Sequence, residues 1–477
     1  MSPRGSLRRG RLSPAGERRP TRSRGGEAEC LVAGESRTGG VLRRTPRPMP
    51  PSGALYGVGL PGVGGAILDY PRIAFVGLWF PLASETFVFH DVVHLRALGV
   101  PVRVFTLYGE RPANLSPEMR AVSGRVERLG IPYLKEIHRY LVYWWKRAPA
   151  SVRLLFRTVP FRRWCDLEMA GENLWAFLCG FRLARRFEEE GIRHIHASWG
   201  GGPATAAWVA SRLTGIPFSF SVHATDIYPP DGALGEKVRD AAFVRTANRV
   251  NVEHVLRFAP GHEAKIHVVH MGFGLEPGDR VPRGSGRPFR ILGLGRFVPK
   301  KGFDILIRSC KLLEESGVDF ELVLGGSGAC RPKLERLVRE LKLEARVRFP
   351  GFLTHDGVSG FLSSGDVFVM PSVIDASGDR DGLPTVIMEA LLHELPVVAT
   401  DVCGIGEVIR DGETGFLVPQ KDPVALARAV ARVISDPEGG LRMARKGRLL
   451  VREEFDPERS SRALLRCFLE TTPAGIE

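Results

Sequence analysis

The segment DGLPTVIME combines acidic, hydroxyl and small residues at a regular spacing. Asp381, Thr385 and Glu389 follow one another at intervals of four, which places them along one side of a helix and its entry. Gly382 allows a close backbone approach, and Pro384 suits a first helical turn, where free N–H groups bind anions. The segment could therefore offer amides to a phosphate and carboxylates to hydroxyl groups. Two acids at this spacing also occur on ordinary solvated helices, so that alternative stays open.

Two cations precede this segment in GLGRFVPKKGF, which follows an apolar run and precedes a helical pattern. Arg296 and Lys301 lie five residues apart. At the carboxyl end of a strand such a pair can clamp a pyrophosphate, because arginine supplies a fork of donors and lysine a point charge. The adjacent Lys300 is expected to point elsewhere. The alternative is a basic surface turn.

Two other loops carry weaker signals. Gly325 and Gly326 begin a GGSG loop directly after FELVL and could let the backbone approach a nucleotide, although a simple turn explains them equally well. Asp375 and Asp379 join Asp381 in the loop IDASGDRDG, where three acids could suit a hard cation. The loop lacks the later glutamate of an EF-hand, so we predict an exposed acidic loop and no metal site.

Alternating apolar strands and helical patterns must position these loops. A polar, turn-rich linker at Pro282–Arg287 divides the alternation into two halves. The pattern predicts an α/β protein of two Rossmann-like, doubly wound lobes, which face a cleft and bind ligands beyond the carboxyl ends of their parallel strands. The predicted domains are a tail at 1–70, lobes at 71–283 and 288–455, and a C-terminal helix at 456–477 that braces the lobes.

Composition and charge limit the function classes. The chain has 477 residues and a formal charge of +14, of which +7 lies in residues 1–70 (twelve Arg, no Lys, five acids). We predict that this tail is disordered, and either passive or a tether to an anionic membrane or nucleic acid. The remaining chain is only mildly basic, which argues against a specific nucleic-acid binder. Seven cysteines without a CxxC pair, no secretory signal and no long apolar run predict a cytoplasmic protein without a membrane-spanning helix.

The segment Tyr133–Trp164 is both basic and aromatic, with eight Lys or Arg residues against one Glu. This composition is typical of a helix that lies on an anionic membrane surface. A pair of helices that packs its aromatic residues on the first lobe and exposes its charges fits equally well. A peripheral location at the inner face of the cytoplasmic membrane therefore stays an open expectation.

Six motifs between about residues 290 and 420 carry a family resemblance. In order they are GRFVPKKGFD, LVLGGSG, VRFPGF, PSVIDASGDRDGLPTVIMEAL, PVVATDVCGIGEVI and DGETGFLV. They resemble glycosyltransferase family 4, of the retaining GT-B class. FPLASETFVFHDVVHL, HIHASWGGGPATAA and SFSVHATDIY resemble the first lobe of its bacterial colanic acid and exopolysaccharide enzymes. The resemblance spans about residues 72–455.

The resemblance implies a role for each matching position of the second lobe. Arg296 and Lys301 would bind the donor phosphates, and Glu389 would hold the ribose. Asp381 would contact the sugar, although the family usually has glutamate there, so the carboxylate is retracted by one methylene. The remaining donor-binding positions, with Phe352 near the base, are Gly325, Gly326, Phe352, Gly382, Leu383, Pro384 and Thr385.

The resemblance also implies roles for positions of the first lobe. Ser84 and Glu85 would face the cleft and the donor, where many relatives have paired glycines. His223 would contact the reacting sugar, with Asp226 orienting it; a hydrogen-bonded histidine at a strand end is the alternative. Met271 stands where the family usually has asparagine.

The activity that the resemblance implies is retaining transfer, by front-face attack, from a UDP- or GDP-sugar. The acceptor would be a polysaccharide or a lipid-linked oligosaccharide of exopolysaccharide biosynthesis. Arg296 and Lys301 would stabilise the leaving diphosphate without a metal or other cofactor, while its oxygen helps to deprotonate the acceptor. Two alternatives stay open: a GT-B-shaped nucleotide-sugar epimerase, and a catalytically degenerate nucleotide-sugar-binding subunit, which the departure at Asp381 favours.

Overall fold

The computed structural model describes residues 70–82, 85–109, 115–158, 167–228, 232–272 and 286–473. The predicted tail at 1–70 lies outside these residues except for Tyr70. Ser84 and most of the predicted linker at 282–287 also lie outside them. The domain boundaries therefore stay predictions.

The first lobe is a parallel sheet of seven described strands in the order β3-β2-β1-β4-β5-β6-β7. Its central strands are apolar runs without polar alternation, as expected for a parallel sheet that is covered on both faces. The strands are β1 (Ile73–Gly77), β2 (Val102–Thr106), β3 (Val126–Arg128), β4 (His194–Ala197), β5 (Phe218–Val222), β6 (Phe243–Thr246) and β7 (Ile266–Val268).

Helices connect and cover these strands. The longest of them, α5, lies against α6 and carries the aromatic core of this lobe, with Phe177, Phe181 and Phe187 buried. The helices are α1 (Thr86–Ala97), α2 (Pro117–Ser123), α3 (Ile137–Arg147), α4 (Pro149–Thr158), α5 (Leu167–Glu189), α6 (Gly202–Thr214), α7 (Ala224–Ile227), α8 (Leu234–Asp240) and α9 (Arg249–Leu256).

The second lobe repeats the plan with six described parallel strands in the order β10-β9-β8-β11-β12-β13. The strands are β8 (Phe289–Leu294), β9 (Phe320–Gly325), β10 (Val347–Gly351), β11 (Val367–Met370), β12 (Val397–Thr400) and β13 (Phe416–Val418). The helices are α10 (Phe303–Glu315), α11 (Arg331–Glu340), α12 (His355–Ser363), α13 (Thr385–Leu392), α14 (Ile405–Val408), α15 (Pro423–Ser435), α16 (Pro437–Glu454) and α17 (Pro457–Thr471).

The last two helices run from the second lobe back to the first. α16 packs on α13, whereas α17 packs on α1. Phe468 of α17 is fully buried against Phe75 of β1 and Phe243 of β6. The chain end therefore completes the core of the first lobe.

The two parallel α/β sheets confirm the predicted fold class. The sequence pattern missed β3, which has three residues, and the 18-residue helix α16. All five cysteines of the described residues are free thiols.

Candidate active site

The sheet order fixes where a ligand can bind in each lobe. In the second lobe β8 lies between β9 and β11, so the chain winds in opposite directions from β8. In the first lobe β1 lies between β2 and β4 in the same way. Such switch points leave a crevice beyond the carboxyl ends of the strands, where doubly wound proteins bind ligands. The loops that follow β1, β4, β8 and β11 contain most of the predicted site residues.

Lys301 and Asp381 come from either side of the second switch point and form an ion pair. Lys301 Nζ lies 3.0 Å from Asp381 Oδ2, and both residues are buried. Ser372, directly after β11, donates its hydroxyl to the same oxygen at 2.5 Å. The aspartate is thus held by a cation and a hydroxyl, and the structure brings together two of the predicted catalytic residues.

A short 3₁₀ turn, Pro299–Lys301, aims the lysine. Gly302 ends the turn with a φ of +61°, and a Cβ there would lie 2.0 Å from the carbonyl oxygen of Pro371. Only glycine fits this position, because both the backbone conformation and the contact exclude a side chain. The loop after β8 is therefore locked onto the loop after β11.

Lys300 does not extend into solvent but forms a second ion pair beside the first. Its Nζ lies 3.0 Å from each carboxylate oxygen of Asp379, and the Lys300 side chain is buried. The Lys300 carbonyl also accepts a hydrogen bond from Val373 N at 2.8 Å. Sequence reasoning missed this pair, because nothing in the spacing of residues that lie 79 positions apart indicates that they pair.

Two predicted donor contacts are exposed. Arg296 lies on the loop after β8, and within the described residues its guanidinium makes no hydrogen bond or ion pair. Phe352 follows β10 and is 58% exposed. An exposed phenyl ring and an unpaired guanidinium at the same edge of the sheet are available to a ligand.

The helix α13 begins at Thr385, directly after Pro384, as the DGLPTVIME pattern predicts. Asp381 precedes the helix and lies in the loop. Glu389 lies one turn into α13 and is mostly buried; burial raises the pKa of its carboxyl group to about 7. A buried carboxyl group without a cation beside it is a candidate for binding hydroxyl groups of a ligand.

The glycine loop has a structural explanation. Gly326 has a φ of +132°, and a Cβ there would lie 1.9 Å from the carbonyl oxygen of Gly295. Phe297 N donates to the carbonyl of Ser327 at 2.7 Å. Gly325 and Gly326 thus allow the loop after β9 to pack backbone to backbone on the loop after β8. This supports the interpretation of the glycines as a simple turn. Arg296 lies between Gly295 and Phe297, the two residues of the β8 loop that make these contacts.

Glu85 and Trp199 join the two strands at the first-lobe switch point. Trp199 Nε1, after β4, donates to Glu85 Oε2, after β1, at 3.1 Å. Burial raises the pKa of the Glu85 carboxyl group to about 7, against the smaller opposite effect of this hydrogen bond. Sequence reasoning missed Trp199, although its place in HASWGGG after a predicted strand was a usable signal.

His223 lies at the carboxyl end of β5, with its ring 4.4 Å from Trp199 and 4.8 Å from Phe87. Its Nε2 lies 3.2 Å from the carbonyl oxygen of Ser198. Burial lowers the pKa of the imidazole to about 3, so the ring is neutral at physiological pH and donates from Nε2. Its contact with a sugar stays a prediction.

The Asp226 carboxylate binds backbone N–H groups and not the imidazole of His223. Its carboxylate accepts from His223 N at 2.6 Å and from Gly200 N at 2.5 Å. The loops after β4 and β5 are thereby tied together, so the carboxylate orients His223 through the main chain.

The two lobes touch beside these residues. A Cβ added at Gly382 would lie 3.4 Å from Ala224 Cβ, and one at Gly404 would lie 2.8 Å from Asn248 Cβ. The Arg380 guanidinium stacks 4.2 Å from the centre of the Tyr228 ring. His223 and Asp381, the neighbours of Ala224 and Gly382, therefore lie on opposite sides of one narrow cleft.

The acidic loop is engaged internally. Asp375 Oδ1 accepts hydrogen bonds from the backbone and hydroxyl of Ser377 and from Asp379 N. Asp379 and Asp381 bind the two lysines. Within the described residues no group of three His, Cys, Asp or Glu is arranged to hold a metal ion. A cavity of about 510 Å³ lies elsewhere, at the amino-terminal ends of β2 and β3.

Comparisons with known proteins match a separate family model to each lobe. A family model described as glycosyl transferases group 1 matches residues 279–450, and one described as a glycosyl transferase 4-like domain matches residues 83–272. The chain belongs to the group 1 glycosyltransferases. Glycosyltransferases form the enzyme class EC 2.4.

Individual relatives match less of the chain. A glycosyltransferase of Escherichia coli (strain K12) named for colanic acid biosynthesis, WcaL, is 36% identical over 168 residues, 35% of this chain and 41% of WcaL. The 2-deoxystreptamine glucosyltransferase of Streptomyces kanamyceticus is 26% identical over 299 residues, 57% of this chain and 76% of that enzyme. The chain thus spans less than half the length of WcaL.

The structure of HepE from Anabaena in complex with UDP-glucose shares the fold. It has a TM-score of 0.60 and 17% identity, and the match covers 84% of this chain and all of that one. At this identity the likeness concerns the fold alone, and it confirms the predicted GT-B architecture.

Proposed function

We propose that the protein transfers a sugar from a nucleoside-diphosphate sugar, bound at the second-lobe switch point, to an acceptor held by the first lobe. The observation that carries the proposal is the buried Lys301–Asp381 ion pair, which joins the loops after β8 and β11 at the switch point. Arg296 is exposed on the same loop as Lys301, and Glu389 lies one turn into the helix that follows Asp381. Such cations and carboxyl groups suit a ligand that carries both phosphates and hydroxyl groups.

Each side chain then has a chemical task. Arg296 and Lys301 bind the diphosphate, and their charge stabilises it as it departs. Glu389 accepts hydrogen bonds from the ribose, and Asp381 accepts them from the sugar. The exposed ring of Phe352 lies against the base. The backbone N–H groups of Gly382, Leu383 and Thr385, at the entry to α13, face the phosphates, since a helix N-terminus favours anions.

The first lobe supplies the acceptor side of the cleft. The neutral imidazole of His223 contacts the reacting sugar, and Glu85 faces the cleft and the donor beside it. We propose retention by front-face attack, in which the leaving phosphate takes the acceptor proton, as the resemblance to family 4 implies. Leaving-group stabilisation is then the main contribution of the protein.

The similarity to WcaL, which is named for colanic acid biosynthesis, favours a polysaccharide or lipid-linked oligosaccharide acceptor of exopolysaccharide biosynthesis. A lipid-linked acceptor would bring the enzyme to the inner face of the cytoplasmic membrane. The name of the 2-deoxystreptamine enzyme, which matches a larger share of this chain, supports a small polyhydroxylated acceptor as the second candidate.

The proposal is tested with the full chain, a panel of UDP- and GDP-sugars, and either a lipid-linked oligosaccharide fraction or free aminocyclitols. We expect one donor to be consumed faster with one acceptor class, and NMR of the product to show the donor's anomeric configuration. An isomerised nucleotide sugar without acceptor would indicate the epimerase alternative. Donor binding without turnover in every pairing would indicate the degenerate subunit.

A further inference from the structure

The helices α3 and α4 divide their aromatic residues between two faces. Trp144 is fully buried and donates from Nε1 to the carbonyl of Phe181 at 2.8 Å. Tyr133, just before α3, is buried and donates to the carbonyl of Leu178 at 3.1 Å. These contacts fasten the helices to α5. The adjacent Trp145 is instead 50% exposed.

Trp145 belongs to an outward face that is apolar as well as basic. Val142 and Leu134 are each 53% exposed, and Ile131 is 74% exposed. Val142 and Trp145 are three residues apart on α3, so they share one side of the helix. Water-exposed apolar side chains grouped in this way mark an interaction surface.

The charges of this face have a single sign. Residues 131–158 contain six Lys or Arg residues and one acid, Glu136, which lies 3.6 Å from Arg182. Lys135, Arg139 and Lys146 are exposed and, within the part of the chain that the structure describes, make no ion pair. The cations therefore flank the apolar residues and remain available for binding an anionic partner.

We infer that this outward face of residues 131–158, here the basic apolar face, docks on the surface of an anionic lipid bilayer. Apolar side chains enter the boundary between headgroups and acyl chains, while the surrounding lysines and arginines bind lipid phosphates. No described helix is both long and apolar enough to cross a membrane, so this contact is peripheral.

Charge argues against two other occupants of the face. A second copy that docked through this same face would bring an identical basic surface against it, and like charges repel. Residues 1–70 carry a net +7 and would not be attracted either. A negatively charged bilayer complements both features of the face.

The inference stands apart from the transfer reaction, because vesicle binding requires neither donor nor acceptor. The test is co-sedimentation of the full chain with phosphatidylcholine vesicles, with and without phosphatidylglycerol. We expect binding only to the anionic vesicles. In the triple variant K135Q/R139Q/K146Q affinity should fall about a hundredfold, at about fivefold for each cation near an anionic surface.

The control is K333Q/R336Q/R339Q, which removes three exposed cations from one face of α11 in the second lobe. It should bind vesicles like the unmodified chain. A second pair of variants measures the apolar contribution to vesicle binding. Trp145→Ser should weaken the binding, whereas Leu449→Ser, at a 61% exposed leucine of α16, should not.

Absence of vesicle binding by the unmodified chain would overturn the inference. Equal binding by the two triple variants would do so as well, since the affinity would then not arise from this face. Binding to a soluble polyanion but not to vesicles would show that the partner is not a bilayer. Thermal unfolding of each variant verifies that the fold persists.

Discussion

Glu389 illustrates how one buried carboxyl group couples ligand binding to pH. Its pKa of about 7 makes it partly protonated at neutral pH, and burial is the cause. A carboxylate accepts stronger hydrogen bonds from hydroxyl groups than a protonated carboxyl group does. We therefore expect the affinity for the donor to rise several-fold between pH 6 and pH 8 in the unmodified chain, and to stay flat in Glu389→Gln.

The unliganded protein should show the opposite trend in stability. A carboxyl group whose pKa is raised on folding contributes stability that is fully present below about pH 4.5 and is lost as pH rises through about 7. Relative to Glu389→Gln, the unmodified chain should lose unfolding free energy across that window. Glu85 has a similar pKa and remains in both proteins, so the difference isolates Glu389. Calorimetry at several pH values measures both trends; a pH-independent difference would contradict the assignment.

The types of the site residues could be predicted from the sequence, because their spacing survives folding. Arg296, Lys301, Asp381 and Glu389 lie where short motifs after strands place them. The pairing of Lys300 with Asp379 could not be predicted, since it depends on how two loops 79 residues apart pack. Ser84 lies outside the described residues, and its role stays a prediction.

At the scale of elements, the loops after β8 and β11 act as one unit joined by two adjacent ion pairs. Lys300 adjoins Lys301 in the chain and Asp379 lies two residues before Asp381, so we expect the Lys300–Asp379 pair to position the Lys301–Asp381 pair. Lys300→Met should lower the unfolding free energy by about 2 kcal/mol, less than for a fully buried pair because Asp379 is partly exposed.

The double variant K300M/D379N removes both charges and should recover much of this stability. Its donor affinity should nevertheless remain reduced, because the loop has lost its anchor. Denaturant unfolding and donor titration measure the two quantities separately. If both the unfolding free energy and the donor affinity of the double variant recovered fully, the Lys300–Asp379 pair would have no positioning role in donor binding.

Two glycines in contact with the first lobe offer a matched comparison. A Cβ at Gly382 would make ordinary contacts of 3.4 Å or more, so Gly382→Ala should fold normally. It should weaken donor binding about tenfold if the backbone approaches the donor there. A Cβ at Gly404 would press to within 2.8 Å of Asn248, so Gly404→Ala should instead lower the melting temperature. Unchanged donor affinity in Gly382→Ala would contradict the predicted backbone contact.

The start of a helix can be predicted from the sequence where a capping residue is followed by proline. α15 and α17 begin at prolines preceded by the capping residues Asp422 and Asp456, a helix-start signal that is visible in the sequence itself. α16 was missed because its first turn contains two glycines and follows α15 after a single residue. Burial against α13 outweighs the poor helix propensity of those glycines.

At the scale of the whole molecule, we propose that the second lobe offers charge for a donor and that the first lobe offers aromatic and polar groups for an acceptor. α17 joins them by returning the chain end to the core around Phe468. The lobes meet at Gly382 and Ala224, next to the residues that we assign to the reacting sugar. If the donor and the acceptor bind to different lobes, substitutions in the second lobe should affect donor affinity without affecting acceptor affinity.

The most direct test of the account is donor binding by Lys301→Ala. Lys311→Ala is the control. Lys311 is another lysine of the second lobe, lies on α10 outside the switch-point loops, and has its Nζ 2.7 Å from Glu314 Oε2. Thermal shift and titration with UDP- and GDP-sugars should show binding of one series by the unmodified chain and by the control. Lys301→Ala should bind at least about tenfold more weakly and turn over about 10²–10³-fold more slowly while remaining folded. Equal binding and turnover by both variants would contradict the assignment of the second-lobe switch point as the donor site.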